Sequence, residues 1–345
     1  VIALALDITA NRQKYSEVCK GKKLATLFYE PSTRTRLSFE AAMLELGGGV
    51  LGFSDARTSS VTKGESISDT IKVINSFADI ITMRHFNEGA ALVASRVANV
   101  PIINAGDGSH AHPTQTLTDL LTIKRELGRI DNLVIGLCGD LKFGRTVHSL
   151  TRALLRRDGI EFVFIAPKQL DMPSYMIHEV VASGKKYREV EDMESVMPEL
   201  DVLYMTRVQK ERFYNPAEYE RLKDTYILTS EKLSAAKEDM AVLHPLPRVN
   251  EISLDVDDDP RAAYFRQVEN GKFVRMALIT KLMEWRGKDM ENPQLRNVIY
   301  NPDGLACPNP PCISFVENVD QIVRPVYSAT EKYRFVYFET TVRSH

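Results

Sequence analysis

The sequence predicts an α/β protein with two doubly wound parallel-sheet domains, an active site in the cleft between them, and a small β-rich domain at the C-terminus. Short β-prone runs alternate with helical patterns along most of the chain, as in parallel sheets covered by helices on both faces. The candidate strands are too numerous for one such domain, and the polar turn at 128–132 offers a natural break between two.

Each element is recognised by the period of its apolar residues. The candidate strands are rich in β-branched and aromatic residues and cover 24–29, 49–53, 79–84, 100–104, 132–138, 160–165, 201–205, 225–228 and 241–243. The candidate helices repeat apolar residues at three or four positions and cover 34–46, 66–77, 88–97, 114–127, 145–157, 174–183 and 271–286. We therefore predict domains at 1–128, 129–270 and 293–345, with a helix at 271–287 packing back on the first.

The composition is that of a soluble globular protein. Hydrophobic residues make up 44% of the 345 residues and charged residues 26%, and the net charge of −2 provides no basic field to attract nucleic acid. No apolar run approaches the length of a membrane span, so no membrane association is expected. Four cysteines are compatible with a reducing compartment, so we expect a cytoplasmic protein.

An anion-binding loop is predicted directly after the first strand. A helix start presents free N–H groups and the positive end of its dipole, which favour phosphate, and here it also carries hydroxyls and guanidinium groups. The alternative without a function is a capped helix with solvated arginines, but five consecutive hydroxyl and guanidinium residues favour a phosphate cradle. The helix is expected to turn Leu37, Phe39, Ala41 and Leu44 inward. The cradle consists of Ser32, Thr33, Arg34, Thr35 and Arg36.

Two further segments of the first half carry candidate binding residues. The polar loop 53–65 is longer than a simple connection requires. Its Ser59 and Lys63 could reach an anion, although for Lys63 alone the simpler interpretation is a solvated lysine. Arg84 ends one strand, and His112 and Gln115 stand where another strand gives way to a helix. A histidine at such a turn is as often a packing or capping group as a functional one.

The second half repeats the pattern of arginines at strand ends. Arg145 begins a helix after one strand, and Arg207 follows the next. The turn 244–248 contains two prolines, and Leu246–Pro247 is a candidate cis bond. A rigid turn poor in N–H donors would present carbonyl oxygens to an amine.

These side chains indicate a site that holds two polyanionic substrates. Without an acidic pair or a nucleophile elbow, glycosidase, two-metal and acyl-enzyme chemistry are disfavoured. The remaining mode of catalysis is orientation of the substrates and stabilisation of developing charge.

Five motifs together resemble aspartate carbamoyltransferase over roughly residues 15–287. The resemblance implies condensation of carbamoyl phosphate with L-aspartate, giving N-carbamoyl-L-aspartate and phosphate, an early step of pyrimidine synthesis. It implies no cofactor, and a homotrimer whose sites are completed by a loop from the neighbouring chain. The motifs lie at 32–36, 112–115, 144–146, 206–209 and 244–248.

The resemblance also implies roles for individual residues. Thr35, Arg84 and His112 would polarise the carbamoyl carbonyl, and Gln115 would hold the carbamoyl amide. The set binding carbamoyl phosphate would be Ser32, Thr33, Arg34, Thr35, Arg84, His112, Gln115, Leu246 and Pro247. The set binding aspartate would be Arg145, Arg207, Gln209 and Lys63, with Ser59 and Lys63 entering from the neighbouring chain.

The chain departs from the family in two places. Phe143 stands where relatives often have Tyr, which removes a hydroxyl beside Arg145. The tail 293–345 resembles the zinc-binding end of the family's separate regulatory chain, but after Cys307 and Cys312 the second cysteine pair is missing. Because structural zinc sites need four ligands, we expect a truncated, fused tail without zinc.

Two other functions fit the same observations less well. Ornithine carbamoyltransferases share the fold and first substrate, but usually carry His-Cys-Leu-Pro where this chain has His244-Pro245-Leu246-Pro247. A catalytically inactive scaffold of the same fold would be expected to lose site arginines, and this chain keeps Arg34, Arg84, Arg145 and Arg207.

Overall fold

A computed structural model describes residues 1–108, 110–208, 217, 226–285, 298–300, 326–328 and 334–335. The described part of the chain divides into two compact units. One comprises Val1–Thr114 together with the segment from Lys272 onward, and the other comprises Gln115–Gly271. Both boundaries fall inside helices, so each of two helices contributes to both units. No helix among the described residues is long and apolar enough to cross a membrane.

The first unit is built on a four-stranded parallel sheet. Its strands are β1 (Lys23–Phe28), β2 (Gly49–Phe53), β3 (Ile80–His85) and β4 (Ile102–Asp107), in the order β2-β1-β3-β4. The order reverses between β1 and β3, which makes this pair the switch point of a doubly wound sheet. The helices of this unit are α1 (Ile2–Ala10), α2 (Arg12–Tyr15), α3 (Thr33–Glu45), α4 (Ile67–Ile74) and α5 (Ala90–Val97).

Burial explains why these strands form. The residues of β1 from Leu24 to Phe28 are all buried, as are all six of β3, which is the pattern of central strands covered on both faces. One side of the sheet packs on α4 and α5 through a core that includes Leu27, Ile71 and Val93.

The second unit contains a five-stranded parallel sheet. Its strands are β5 (Val134–Cys138), β6 (Glu161–Ile165), β7 (Lys186–Val190), β8 (Val202–Met205) and β9 (Ala241–Leu243), in the order β7-β6-β5-β8-β9. Here the order reverses between β5 and β8. The helices are α7 (Arg145–Leu155), α8 (Ser174–Ala182) and the short α9 (Ser230–Leu233). The helices shared by both units are α6 (Pro113–Leu127) and α10 (Tyr264–Trp285).

The predicted class, two parallel-sheet α/β domains, is confirmed, and several details are corrected. The strand predicted at 225–228 is wrong, because its described residues make only an isolated bridge from Leu228 to Ile252. The inward face predicted for α3 is also wrong in part. Leu37 and Leu44 are 51% and 56% exposed, whereas Phe39 is buried as expected, with Met43 beside it.

The tail is described only at three short strands. β10 (Val298–Tyr300), β11 (Val326–Ser328) and β12 (Arg334–Phe335) form an antiparallel sheet. Cys307 and Cys312 lie outside the described residues, so the predictions of a zinc-free tail and of its domain organisation stay predictions.

Candidate active site

The predicted phosphate cradle lies between β1 and α3, at the switch point of the first sheet. Ser32 is the N-cap residue of α3, and its hydroxyl makes no capping hydrogen bond with the helix. Thr33 and Arg34 are exposed and Thr35 is buried, so one turn presents solvent-facing donors above a packed hydroxyl. The first-turn N–H groups add an anion-binding helix terminus. Because these residues are consecutive, the start of α3 is enough to bring the cradle together.

Arg36, which the sequence also suggested as a phosphate ligand, is turned along the helix instead. Its Nε lies 3.4 Å from Oε1 of Glu40, four residues later. The same carboxylate oxygen accepts a hydrogen bond of 3.0 Å from the Thr26 hydroxyl of β1. Arg36 therefore belongs to the packing of α3 on the sheet.

Arg84 is a buried cation at the end of β3, the other strand of the switch point. Only 8% of the residue is exposed. Its Nη2 lies 3.0 Å from Oε2 of Glu30, and its Nη1 donates to the carbonyl oxygen of Ala105 at 3.4 Å. Contacts on two sides fix the plane of the guanidinium. A donor fixed in advance loses no free energy in reorganising when charge develops beside it.

His112 approaches the same guanidinium around Gly106. A Cβ built on Gly106 would lie 3.0 Å from Nη1 of Arg84 and 3.4 Å from Cδ2 of His112. The glycine also has φ +118, which L side chains rarely adopt. His112 itself is 5% exposed. The structure thus brings together two of the three predicted catalytic residues, with a glycine where a larger residue would separate or displace them.

A buried carboxylate holds the loop that carries His112. Asp107 is 2% exposed and accepts hydrogen bonds of 2.9 Å from the backbone N–H of Gly89 and from Nδ2 of Asn104. Nδ1 of His110 lies 3.1 Å from its Oδ2. The backbone N–H of Asp107 bonds across the loop to the carbonyl of Ala111. These contacts fix the backbone up to the start of α6.

His85, next to Arg84, is a neutral packing residue. Burial lowers its pKa to about 4, although the nearby charge of Asp107 works in the opposite direction. Its Nδ1 accepts a hydrogen bond of 2.8 Å from the backbone N–H of Asn87. Its ring stacks on Phe86 with centroids 4.4 Å apart. His85 is therefore not a source of positive charge at neutral pH.

Arg145 and Arg207 follow the two switch-point strands of the second sheet. The ends of β5 and β8 are tied together, because the backbone N–H of Asp140 donates to Oγ1 of Thr206 at 2.9 Å. At Gly139, whose φ is +112, a Cβ would come within 2.3 Å of the Thr206 carbonyl oxygen. This close approach brings the two arginine-bearing loops to one edge of the sheet, and both arginines are half-buried there. Gln209 lies outside the described residues.

The turn after β9 contains the predicted cis bond between Leu246 and Pro247. His244 is 2% exposed and holds the turn from inside, since its Nδ1 accepts from the backbone N–H of Leu246 at 2.8 Å. Its Nε2 lies 2.7 Å from Oε1 of Glu251. Burial raises the pKa of Glu251, but hydrogen bonds from His244 and from the backbone of Val249 outweigh it, so the pKa is lowered. The carboxylate thus stays ionised and fixes the imidazole.

The loop predicted to serve a neighbouring chain forms two short 3₁₀ turns, Ala56–Thr58 and Ser60–Lys63. The Ser59 hydroxyl donates to the Ala56 carbonyl at 2.8 Å, and Lys63 is exposed. Their entry into another chain's site stays a prediction.

Sequence reasoning missed several buried polar residues in both units. Asp119 is completely buried on α6, and Gln267 is 2% exposed on α10. Arg275, 4% exposed, donates to Oγ of Ser38 at 3.2 Å within the first unit. The only sequence signal for these residues is a polar side chain on the apolar face of a helix, which does not reveal its partner.

Comparison with protein families matches most of the chain to two models. Residues 1–125 match the aspartate/ornithine carbamoyltransferase carbamoyl-P binding domain. Residues 131–282 match the aspartate/ornithine carbamoyltransferase Asp/Orn binding domain. The boundary between the two models coincides with the end of α6 and the turn that follows it.

Individual relatives agree with the family models. The aspartate carbamoyltransferase catalytic subunit of Lachnoclostridium phytofermentans is 64% identical over 284 residues, which are 82% of this chain and 92% of the relative. The corresponding subunit of Bifidobacterium longum is 60% identical over 290 residues, 83% of this chain and 91% of the relative.

Solved structures share the fold. The catalytic subunit of M. jannaschii aspartate transcarbamoylase superposes with a TM-score of 0.78 at 50% identity, covering 84% of this chain and 94% of that one. Aspartate transcarbamoylase from Trypanosoma cruzi, in complex with carbamoyl phosphate and aspartate, has a TM-score of 0.75 at 42% identity, with coverage of 81% and 90%.

Proposed function

Because this chain belongs to the aspartate/ornithine carbamoyltransferase family, we propose that it transfers the carbamoyl group of carbamoyl phosphate to the amino group of L-aspartate. The products are N-carbamoyl-L-aspartate and phosphate, in de novo pyrimidine biosynthesis. One observation carries the proposal: each sheet places guanidinium-bearing residues at the carboxyl ends of its two switch-point strands. That is where doubly wound sheets bind ligands, and both substrates are polyanions.

Carbamoyl phosphate is assigned to the cradle, Arg84 and His112 of the first unit, and its amide to Gln115, the first residue of the second unit. Its phosphate accepts hydrogen bonds from the cradle at the start of α3, and its carbonyl oxygen lies against Thr35, Arg84 and His112. The aspartate amine attacks the carbamoyl carbon, and a carbon–nitrogen bond forms as the carbonyl electrons move to oxygen. When the carbonyl re-forms, the carbon–oxygen bond to phosphate breaks, phosphate leaves with the electron pair, and the proton lost by the nitrogen passes to the departing phosphate.

The fixed geometry of Arg84 supports its catalytic role in this reaction. The carbonyl oxygen gains negative charge in the tetrahedral transition state, and a buried, two-sided guanidinium stabilises that charge more than it stabilises the ground state. The ion pair with Glu30 at 3.0 Å keeps the group in place before substrate binds.

Aspartate is assigned to Arg145, Arg207, Gln209 and Lys63. Two guanidinium forks match two carboxylates, whereas the cationic side chain of ornithine would be repelled. The carbonyl oxygens of Leu246 and Pro247 accept hydrogen bonds from the amino groups of the substrates. The turn held by His244 presents these carbonyls on a rigid backbone.

The proposal also covers assembly, location and cofactors. A homotrimer in which Ser59 and Lys63 enter the neighbouring site would cover apolar surface, and the exposed Leu37 and Leu44 supply such surface on α3. We propose a cytoplasmic enzyme without a cofactor, because carbamoyl phosphate is already an activated acyl donor. The tail is proposed to be a truncated, metal-free relative of the family's regulatory chain.

The test is a product assay with each amino acid. Purified protein is incubated with carbamoyl phosphate and either L-aspartate or L-ornithine, and N-carbamoyl-L-aspartate and citrulline are measured. We expect the aspartate product alone, with its formation abolished in Arg207→Ala. Citrulline as the main product would favour ornithine carbamoyltransferase, and no product from folded protein would favour an inactive scaffold.

A further inference from the structure

A buried hydrogen-bond network connects three elements of the second unit through one carboxylate. Oδ1 of Asp119 accepts from Nε2 of Gln115 at 2.7 Å and from Nε2 of Gln267 at 2.6 Å. Oδ2 accepts from the hydroxyl of Tyr204 at 3.1 Å. Asp119 and Tyr204 are completely buried and Gln115 is half-buried, so the carboxylate depends on these donors in place of water.

The network determines which way the amide of Gln115 faces. A carboxylate offers only acceptors, so the NH₂ group of the amide must be the part turned toward Asp119. The carbonyl oxygen of the amide, Oε1, then faces away from Asp119. Burial raises the pKa of the Tyr204 hydroxyl well above its usual range, so that group remains a donor and does not compete for this role.

We propose that Asp119 is a positioning residue that makes Gln115 an acceptor for the NH₂ group of carbamoyl phosphate. The inference rests on the proposed function, which assigns Gln115 to the carbamoyl amide. Without such a partner, a glutamine can turn either its carbonyl oxygen or its NH₂ group toward a ligand. If the NH₂ group faced the substrate, it would stand against the NH₂ group of carbamoyl phosphate. Asp119 thereby selects an acyl phosphate that carries N–H donors over one that carries a methyl group.

The same carboxylate acts on the turn after β9. Gln267, held at its NH₂ end by Asp119, accepts a hydrogen bond of 3.0 Å at Oε1 from the backbone N–H of His244. His244 in turn holds the backbone N–H of Leu246. Asp119 therefore fixes both an acceptor for the carbamoyl amide and the backbone whose carbonyls receive amino groups.

Selectivity between carbamoyl phosphate and acetyl phosphate tests the proposal. Acetyl phosphate has the same phosphate but a methyl group in place of the NH₂. The measured quantity is the ratio of the inhibition constant of acetyl phosphate to the KM of carbamoyl phosphate. Asp119→Leu keeps the shape of the side chain and removes both acceptors, and it should lower this ratio about 10- to 100-fold, as expected for a polar group left without its partner. Asp119→Ala is the alternative variant if leucine prevents folding.

Two variants serve as controls. Tyr204→Phe removes the contact to Oδ2 and leaves the contact to Gln115, so it should retain the parent ratio within about twofold, since a hydroxyl on the far oxygen does not orient the amide. Asp119→Asn keeps an oxygen for the two glutamines and should also retain it. If Asp119→Leu and Asp119→Ala lose turnover or thermal stability but keep the parent ratio, Asp119 is only structural and the proposal is wrong.

The roles assigned to Gln115 and Asp119 can be refuted independently of each other. Gln115→Ala should lower the ratio as much as Asp119→Leu, and the double variant should lower it no further, because the two residues act on one hydrogen bond. A parent-like ratio in Gln115→Ala would refute the assignment of Gln115 itself. A low ratio in Gln115→Ala with a parent-like ratio in Asp119→Leu would refute only the role of Asp119.

A measurement on the unaltered chain applies even where no Asp119 variant folds. The Nε2 proton of Gln115 that bonds to Asp119, identified in ¹⁵N-labelled protein by its absence from Gln115→Ala, should stay protected from solvent exchange when carbamoyl phosphate is added. Loss of protection on binding would mean that the amide turns away from Asp119, and would overturn the proposal.

Discussion

Arg84→Ala tests whether the first unit stabilises developing charge. The residue is 8% exposed, with its guanidinium held by Glu30 at 3.0 Å and by the Ala105 carbonyl at 3.4 Å. Removing a donor with this degree of preorganisation typically lowers kcat by about 10²–10³, which corresponds to about 2.7–4 kcal/mol of transition-state stabilisation. We expect a loss of that size in kcat with aspartate saturating.

The matched variants separate charge from geometry. Arg84→Lys keeps the charge but replaces a planar fork with a single ammonium, so its kcat should fall between those of the parent and Arg84→Ala. Arg96→Ala removes an exposed arginine of α5 and should leave kcat unchanged. The assay is steady-state formation of N-carbamoyl-L-aspartate, with thermal unfolding as a check on folding. A kcat for folded Arg84→Ala within a few-fold of the parent would refute the role.

Four other outcomes are expected. Gly106→Ala should reduce kcat, because the new methyl would lie 3.0 Å from Nη1 of Arg84 on a backbone with φ +118; unchanged steady-state kinetics would contradict the described packing. Because the pKa of Glu251 is lowered from 4.5 in the fold, its contribution to stability is present above about pH 4.5 and is lost as pH falls. Urea unfolding across pH 3–7 should therefore show a flatter acid dependence for Glu251→Gln, and a slope equal to the parent's would argue against it. Mixing inactive Lys63→Ala with inactive Arg34→Ala should restore activity through hybrid trimers, and no recovery after verified subunit exchange would count against a shared site. Metal analysis should find no zinc in the tail, whereas one zinc per chain, with a lower melting temperature after chelation, would show that the site is complete.

Most of the fold was predictable because the central strands are marked in the sequence by short apolar segments. β1 and β3 are buried along nearly their whole length, and the stretches 24–28 and 80–83 are apolar except for one threonine in each. β7 was missed because an edge strand needs little apolar character, and Lys186–Val190 has no fully buried residue. The failed strand at 225–228 shows the reverse error: Leu228 is buried but pairs only through one bridge.

The orientation of α3 could not be read from periodicity. Leu37 and Leu44 are seven residues apart and define one apolar stripe, while Phe39 and Met43 define another. The fold buries the second stripe and leaves the first exposed. When a helix carries two apolar stripes, its sequence alone does not show which stripe packs into the core of the domain.

The candidate binding residues could be predicted from local sequence, but their supporting contacts could not. The arginines and hydroxyls were predictable because they lie at the end of a strand or in the segment after it, and the carboxyl ends of neighbouring parallel strands share one edge of the sheet. Their supporting contacts were not, because they join distant positions: Gln267 meets Asp119 across 148 residues of sequence. Such pairs exist only once the helices pack, so no local pattern reveals them.

In each unit, acidic residues beside the predicted binding residues hold donors in place. Asp107, Asp119 and Glu251 are buried and accept hydrogen bonds, and the partly exposed Glu30 pairs with the cation of Arg84. Guanidinium, hydroxyl and amide groups are then the groups left to meet the substrates. Two polyanionic substrates require such a surface, because a carboxylate facing them would repel both. Orientation also demands that the donors be rigid, and a buried carboxylate bonded to several of them supplies that rigidity. The buried carboxylates are Asp107 for the loop of His112, Asp119 for Gln115 and Glu251 for His244, and the partly exposed Glu30 holds Arg84.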